Sequence, residues 1–235
     1  MSFLRKKPLP HVFEAMPGYL LRLAQANHTS PQVLAGKLFG HHRWPGPKEL
    51  MKLAEVIHCT EQEISELAVV HDHPGASGRG WSMAGQRLSK SYFVSPRRHA
   101  VCPHCLIERP FLHGLWLVSL QSCCFVHHCR LLQQCSACGQ ALQSQRLDIC
   151  HCQCGADLRQ MRSDMLDQRE LCVSQLLATM VGQQFCIVAD VPEWLQVVGP
   201  MIYANCFGSW AGYSPGYFAE WSGRGVTRRI CMKPS

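Results

Sequence analysis

Ten of the chain's fifteen cysteines fall between Cys102 and Cys154, and this cluster limits the possible folds more than any other feature. A segment that short buries too little apolar surface to hold itself together, so it needs cross-links. Disulfides are one choice and metal ions the other. Near Met1, the charged Arg5, Lys6 and Lys7 are followed by Pro8, Pro10, His11 and Glu14, where the apolar run of an export leader would stand. We therefore expect a cytoplasmic protein with reduced thiols. Clustered thiols in a reducing compartment point to metal. The other five cysteines, Cys59, Cys172, Cys186, Cys206 and Cys231, are scattered singly.

Zinc takes four nitrogen or sulfur ligands in a tetrahedron, and two ligands a couple of residues apart can come from one tight turn. Four such pairs follow one another: Cys102 with Cys105, Cys124 with His127, Cys135 with Cys138, and Cys152 with Cys154. Taken in order they give Cys-x2-Cys-x18-Cys-x2-His and Cys-x2-Cys-x13-Cys-x-Cys, two structural zinc ions that each close one loop. Cys123, Cys129, Cys150, His104, His128 and His151 lie beside these ligands and compete for the same roles. The register of Cys124 with His127, and Gly155 directly after Cys154, favour the eight residues named first.

Each set is already full, which leaves no open position for water. Glu108 is the only acid between His73 and Leu147. A zinc hydrolase or deaminase working at Cys124 and His127 is thus the weaker reading. The chain has no phosphate-binding loop with the Gly-Lys-Ser/Thr ending, and Asp148, Asp157, Asp164 and Asp167 read as helix-start and surface residues. We expect no catalysis.

Outside the cluster the pattern is helical. Leu20, Leu21, Leu23 and Ala24 make one apolar face, Asn27 to Thr29 interrupt it, and Ser30-Pro31 starts a second helix through Val33, Leu34 and Leu38 to Gly40. Leu50, Leu53, Ala54 and Ile57 share one side of a third helix. Thr60 and Glu63 form a capping box before a fourth, expected from Glu61 to Val70 with Ile64, Leu67 and Ala68 inward. This is the layout of a helix-turn-helix. The fourth helix is acidic through Glu61, Glu63 and Glu66, which suits docking to protein better than reading DNA.

Residues 73–98, rich in glycine, serine and arginine, read as a basic linker with little regular structure. Val173, Leu176, Leu177, Met180 and Val181 mark a helix after the cysteines, and Asp190 with Pro192 opens another through Val198. The aromatic tail with Trp210, Tyr213 and Tyr217 reads as core. The expected organisation is mainly α: a helix-turn-helix-like bundle over 1–72, a linker over 73–98, a double zinc-finger region over 99–158, and a C-terminal helical segment with a basic tail over 159–235. Polar residues, proline and glycine interrupt the uncharged stretches 110–129 and 194–219, so neither is expected to span a membrane.

The formal charge of +7 is regional. Residues 73–147 hold Arg79, Arg87, Lys90, Arg97, Arg98, Arg109, Arg130 and Arg146 against Glu108, and the last fifteen residues add Arg224, Arg228, Arg229 and Lys233. Such a field favours polyanions. Arg79, Arg87, Lys90, Arg97, Arg98, Arg228 and Arg229 are the candidates for contact with a DNA or RNA backbone.

The residues Pro8-Leu9-Pro10, Glu14, Gly18-Tyr19-Leu20-Leu21-Arg22-Leu23-Ala24, Cys102-Pro103-His104-Cys105-Leu106, Trp116, Cys124-Phe125-Val126-His127, Leu131-Leu132, Cys135-Ser136-Ala137-Cys138-Gly139 and Cys152-Gln153-Cys154-Gly155-Ala156-Asp157-Leu158 stand in a familiar order. Over about residues 8 to 158 this order resembles the TniQ/TnsD family. The resemblance implies a non-catalytic target selector in a transposon whose machinery is split among a transposase, an AAA+ ATPase and the selector. Being short, the chain is similar to the TniQ of CRISPR-associated transposons, where a guide-RNA effector finds the sequence and the selector couples it to the ATPase. Those two assemblies are the implied partners, with a homodimer as a further assembly, and the implied location is the bacterial nucleoid when active. Longer members bind an attachment site themselves, so direct DNA recognition is the alternative. The chain departs from the pattern at Phe125, where proline is frequent, and at His128, where glycine is common. Both bear on the shape of that turn and leave the ligands intact.

Overall fold

Proline and small polar residues set the helix starts. The computed structural model describes residues 4–40, 45–65, 67, 69–72, 80–83, 86–88, 93–95, 99–143, 146, 148–164 and 166–180. Helix α1 spans Met16–Ala26, with Pro17 in its first turn. Ser30 caps α2 (Pro31–Phe39), its Oγ accepting the Val33 N–H at 3.2 Å, and Gly40 ends the helix at a φ of 64°. Helix α3 (Pro47–Ile57) buries Leu50, Leu53, Ala54 and Ile57, the four positions its periodicity selects. On α2, Val33 is half exposed, while Leu34 is buried.

The capping box forms as expected, with the Glu63 N–H donating to Thr60 Oγ1 at 3.2 Å and the Thr60 N–H donating to Glu63 Oε2 at 2.8 Å. The helix it starts, α4 (Glu61–Ser65), is shorter than predicted. It does not continue to Val70, because Val69–Asp72 forms strand β1 and pairs antiparallel with β2 (Gly80–Met83), which in turn pairs with β3 (Gln86–Leu88). The β-branched Val69 and Val70 lose little rotamer freedom in a strand, and the ladder satisfies backbone groups that a fraying helix end would leave open. This also corrects the expectation of little regular structure over 73–98. Trp81 and Met83, two residues apart on one face of β2, are both buried in the core.

Two hydrophobic cores result. One lies among α1 to α4 and contains Met16, Tyr19, Leu23, Leu34, Leu53, Ile57 and Leu67. The other gathers Trp81, Met83, Val101, Leu106, Leu112, Leu115, Trp116, Leu117 and several cysteines. Helix α1 serves both, since Leu21, and Ala15 just before the helix, belong to the second. Backbone bonds fasten the junction: the Ala15 N–H donates to Leu112 O at 2.7 Å and the Gly114 N–H to Phe13 O at 2.8 Å.

The N-terminal strap is tied to α1 by side chains. Arg22 forms a two-pronged ion pair with the fully buried Glu14, both N···O distances being 2.7 Å, and also donates to Leu9 O. Tyr19 donates its hydroxyl to Pro8 O at 2.9 Å. Asn27 Oδ1 accepts the N–H groups of Arg5 and Lys6, and its Nδ2 donates to Lys6 O.

The cysteine-rich part follows with helix α5 (Pro103–Glu108) and a hairpin of β4 (Cys123–Cys124) and β5 (Cys129–Arg130). The helix predicted around Val173 is α6 (Gln168–Met180), which packs on β4, where Cys123 Sγ donates to Ser174 Oγ at 2.7 Å. The helix expected from Asp190 and the aromatic tail lie outside the described residues. Among the described residues the fold is mostly helical with two small sheets, and no helix is long and apolar enough to cross a membrane.

Candidate metal centres

Local turns bring the cysteine pairs together. Cys102 precedes α5, Pro103 occupies the first helical position, and Cys105 therefore projects from the first turn back toward Cys102. Cys124 ends β4, and His127 lies in the turn leading to β5. The turn closes when His128, at a φ of 51°, directs its N–H to Cys124 O at 2.9 Å. Cys102, Cys105, Cys124 and His127 thereby place one ligand atom each within 4.8 Å of all the others.

The second set is built from two turns closed by glycine. Gly139, at a φ of 71°, donates to Cys135 O at 2.8 Å, and Gly155, at 88°, donates to Cys152 O at 2.9 Å. Cys135, Cys138, Cys152 and Cys154 again have all four sulfurs within 4.8 Å of one another. The structure thus joins first pair with second and third with fourth, the sequential partition.

The spacing tests whether a metal fits. Around an ion with sulfur ligands at roughly 2.3 Å, the edges of a tetrahedron measure about 3.8 Å. The sulfur separations are 3.6 Å for Cys105 with Cys124, 3.7 Å for Cys135 with Cys154, and 3.8 Å for Cys138 with Cys152. Both sets can hold a metal ion.

The histidine ring has two distinct ends. Its Nδ1 faces the sulfurs of Cys102, Cys105 and Cys124 at 3.6, 3.2 and 3.6 Å, while Nε2 meets Glu108 Oε1 at 2.9 Å. We assign the proton to Nε2, donated to the carboxylate, which leaves the Nδ1 lone pair for a metal. Burial pulls the imidazole pKa down, but Glu108 and the Cys102 sulfur outweigh it and raise it overall. Glu108 is held below the usual carboxylate range by the same hydrogen bond. The sequence marked this glutamate only as a solitary acid; its place one turn after Cys105 on α5 was the available signal.

Within each set the thiols are shifted in opposite directions. Cys124 is brought down to about 4, chiefly by bonds from the Cys102 and Cys105 thiols, then by the His127 N–H at 3.3 Å. Cys105 is correspondingly raised, through its bonds with Cys102 and Cys124. In the second set, burial pushes Cys135 up, but the N–H groups of Cys138 and Ala137 draw it down to about 7.

The residues passed over in the sequence have varied places. Cys129 is buried with its sulfur 3.6 Å from Cys102 Sγ, beside the first set. The β4–β5 register pairs it with Cys124, a relation invisible without the hairpin. Cys123 faces α6, His104 packs its ring at 5.4 Å from that of His127, and His151 bonds Asp148 at 2.9 Å.

Arg79, Lys90, Arg97, Arg98, Arg228 and Arg229 lie outside the described residues, and of Arg87 the backbone in β3 is described. Two further members of the basic count are paired or enclosed: the exposed Arg130 pairs with Glu170 at 2.7 Å, and Arg146 is buried.

A helical bundle is thus joined to two complete four-ligand Cys/His sets that could each hold a metal ion. The TniQ family model matches residues 6–131, more than half of the chain, and the protein belongs to the TniQ family. Members of that family are non-catalytic, transposition-associated target-selection adaptors. The match contains the first four-ligand set and stops before the second, so it is narrower than the resemblance read from the sequence. No curated protein matches the chain closely enough to stand as a relative.

Proposed function

We propose that this protein is the target-selection adaptor of a heteromeric transposon, and that it couples a target-bound guide-RNA effector complex to the AAA+ ATPase that regulates the transposase. The observation that carries the reading is the family match over residues 6–131, which runs unbroken from the strap before α1 to the β4–β5 hairpin. Two zinc ions, one held by Cys102, Cys105, Cys124 and His127 and one by Cys135, Cys138, Cys152 and Cys154, have a structural role in this reading. Bound there, zinc supplies cross-linking. Filled tetrahedra of thiolate and imidazole leave no site for an activated water.

The division of labour follows the four segments read from the sequence. The bundle over 1–72 offers a surface to protein, because its last helix is short and acidic. The basic segments around Arg79 to Arg98 and Arg228 to Arg229 touch DNA or RNA backbone. Affinity-tagged protein mixed with the transposon's own effector or ATPase should retain one of them, and retention of neither removes the proposal. Direct recognition of an attachment site is the second reading. It requires a preference for one duplex over its scrambled version at fixed salt, and equal binding to both dismisses it.

A further inference from the structure

Among the described residues, Arg146 is the arginine of the basic field that the fold takes inside. It is 2% exposed, and its Nε and both terminal nitrogens are buried with no hydrogen-bond partner. A buried guanidinium without acceptors is costly, and arginine does not shed its charge to escape that cost. Burial draws its pKa down to about 10, which leaves it a cation at neutral pH. Something nearby must offset the charge.

Its surroundings identify that partner. Arg146 lies on the loop between the third and fourth ligand pairs, and it lines a cavity of about 290 Å³ together with Cys138, Cys152 and Cys154. The negative groups in its field are Asp148 first, then Cys152 and Cys150. Asp148 is already engaged: its Oδ1 accepts the N–H groups of Cys150 and His151 at 2.7 and 2.8 Å, and its Oδ2 lies 2.9 Å from the His151 ring. Those bonds leave the carboxylate its single charge, which offsets Arg146 through space, and the cysteine set adds to it. A divalent ion with four thiolates carries a net charge of −2, whereas the first set, with three thiolates and one imidazole, carries −1. The fully thiolate set is the one with the greater need of a counter-charge, and it is the one with a buried arginine.

We propose that Arg146 is the interior counter-cation of the second metal set, holding a divalent metal–tetrathiolate in place by its charge. This rests on the metal reading of that set. It also predicts the opposite of what an idle buried charge would do, since replacing an unpaired buried charge by an apolar side chain is commonly neutral or stabilising.

The test uses the full-length chain loaded with Co²⁺, comparing wild type with Arg146→Met and Arg146→Lys. Metal per chain is measured by elemental analysis, release by a competing chelator, and the thiolate-to-cobalt charge-transfer bands by absorption. Three thiolates and four thiolates give bands of different intensity, which assigns each release phase to its set. The expected result is that Arg146→Met releases the second-set ion about 10- to 100-fold faster and shifts its bands, as loss of a group supporting a metal's ligands generally does. Arg146→Lys recovers most of the retention, and the first set is unchanged. Wild-type release and bands in the Met variant overturn the inference, as does a Lys variant no better than Met, or a variant that melts differently while keeping its metal. A wild-type chain with no second-set ion overturns the metal reading itself, and this inference with it.

Discussion

At the scale of single residues, backbone conformation and close approach account for positions whose chemistry is otherwise plain. Gly18 lies where α1 crosses Leu112, and a Cβ built on it would stand 2.5 Å from Leu112 Cβ. That atom belongs to a fully buried side chain next to its own backbone, so it has little freedom to yield. Alanine gains about 1 kcal/mol of helix propensity over glycine, but overpacking of this kind typically costs about 1–3 kcal/mol. Gly18→Ala is therefore expected to lower stability by roughly 1 kcal/mol on balance, read from the denaturant midpoint; an unchanged or higher midpoint contradicts the packing. His128 presents the reverse case. It holds a φ of 51° where the family commonly has glycine, and its side chain is exposed. Left-handed geometry costs a side-chain-bearing residue about 1–2 kcal/mol, more than the roughly 0.5–1 kcal/mol of added entropy that glycine loses on folding. His128→Gly is expected to raise the melting midpoint slightly while metal content stays the same.

At the scale of elements, each knuckle is a loop that a metal closes, and its failure should be local. Cys102 and Cys135 lie in the second core, at 0% and 1% exposure, so their sulfurs link ligand sets to packing. Cys102→Ser is expected to abolish one bound ion and open the α5 and β4–β5 turn region, and Cys135→Ser to do the same for the turns at Gly139 and Gly155. Structural zinc contributes on the order of 10 kcal/mol or more in small domains, and one missing thiolate removes most of it. Elemental analysis combined with amide exchange decides the matter: two ions still bound in either variant would contradict the ligand assignment. The β1–β3 sheet shows the limit of local reading. Val69 and Val70 continue a helical pattern from Ile64 in the sequence, yet they pair antiparallel with Met83 and Ser82. Periodicity over so few residues does not separate a helix end from a strand start, and the partner strand settles it.

At the scale of the whole molecule, α1 couples two cores of different origin. One is held by leucine and isoleucine packing, the other by apolar side chains with thiol clusters among them. Stripping metal from the full chain with a strong chelator is expected to speed amide exchange across Leu112 to Val118 by orders of magnitude, while Leu50 to Ile57 stay protected. Uniform loss of protection would show that the two cores are one cooperative unit, and uniform retention that the metal does not hold the second. The same scale alters the reading of charge. Arg130 is engaged by Glu170 and Arg146 is enclosed, so the polyanion-facing charge of this region is smaller than its residue count.

Much of this was legible in advance because it is short-range. Ligand pairs two or three residues apart, the Ser30 and Thr60 caps, the glycine at Gly155, and the i, i+3, i+4, i+7 face of α3 all depend on neighbours within about one turn, where residue type dictates geometry. Tertiary structure alone decided what depends on distant partners. It turned Val69 to Asp72 into a strand, carried Trp81 and Met83 from a supposed linker into a core, brought Glu108 to the back of His127 and Cys129 beside Cys102, and enclosed Arg146 by Cys138, Cys152 and Cys154. None of these is encoded by spacing, since each arises when segments remote in the chain exclude water together and leave a strand edge, a ring nitrogen or a charge to find its complement.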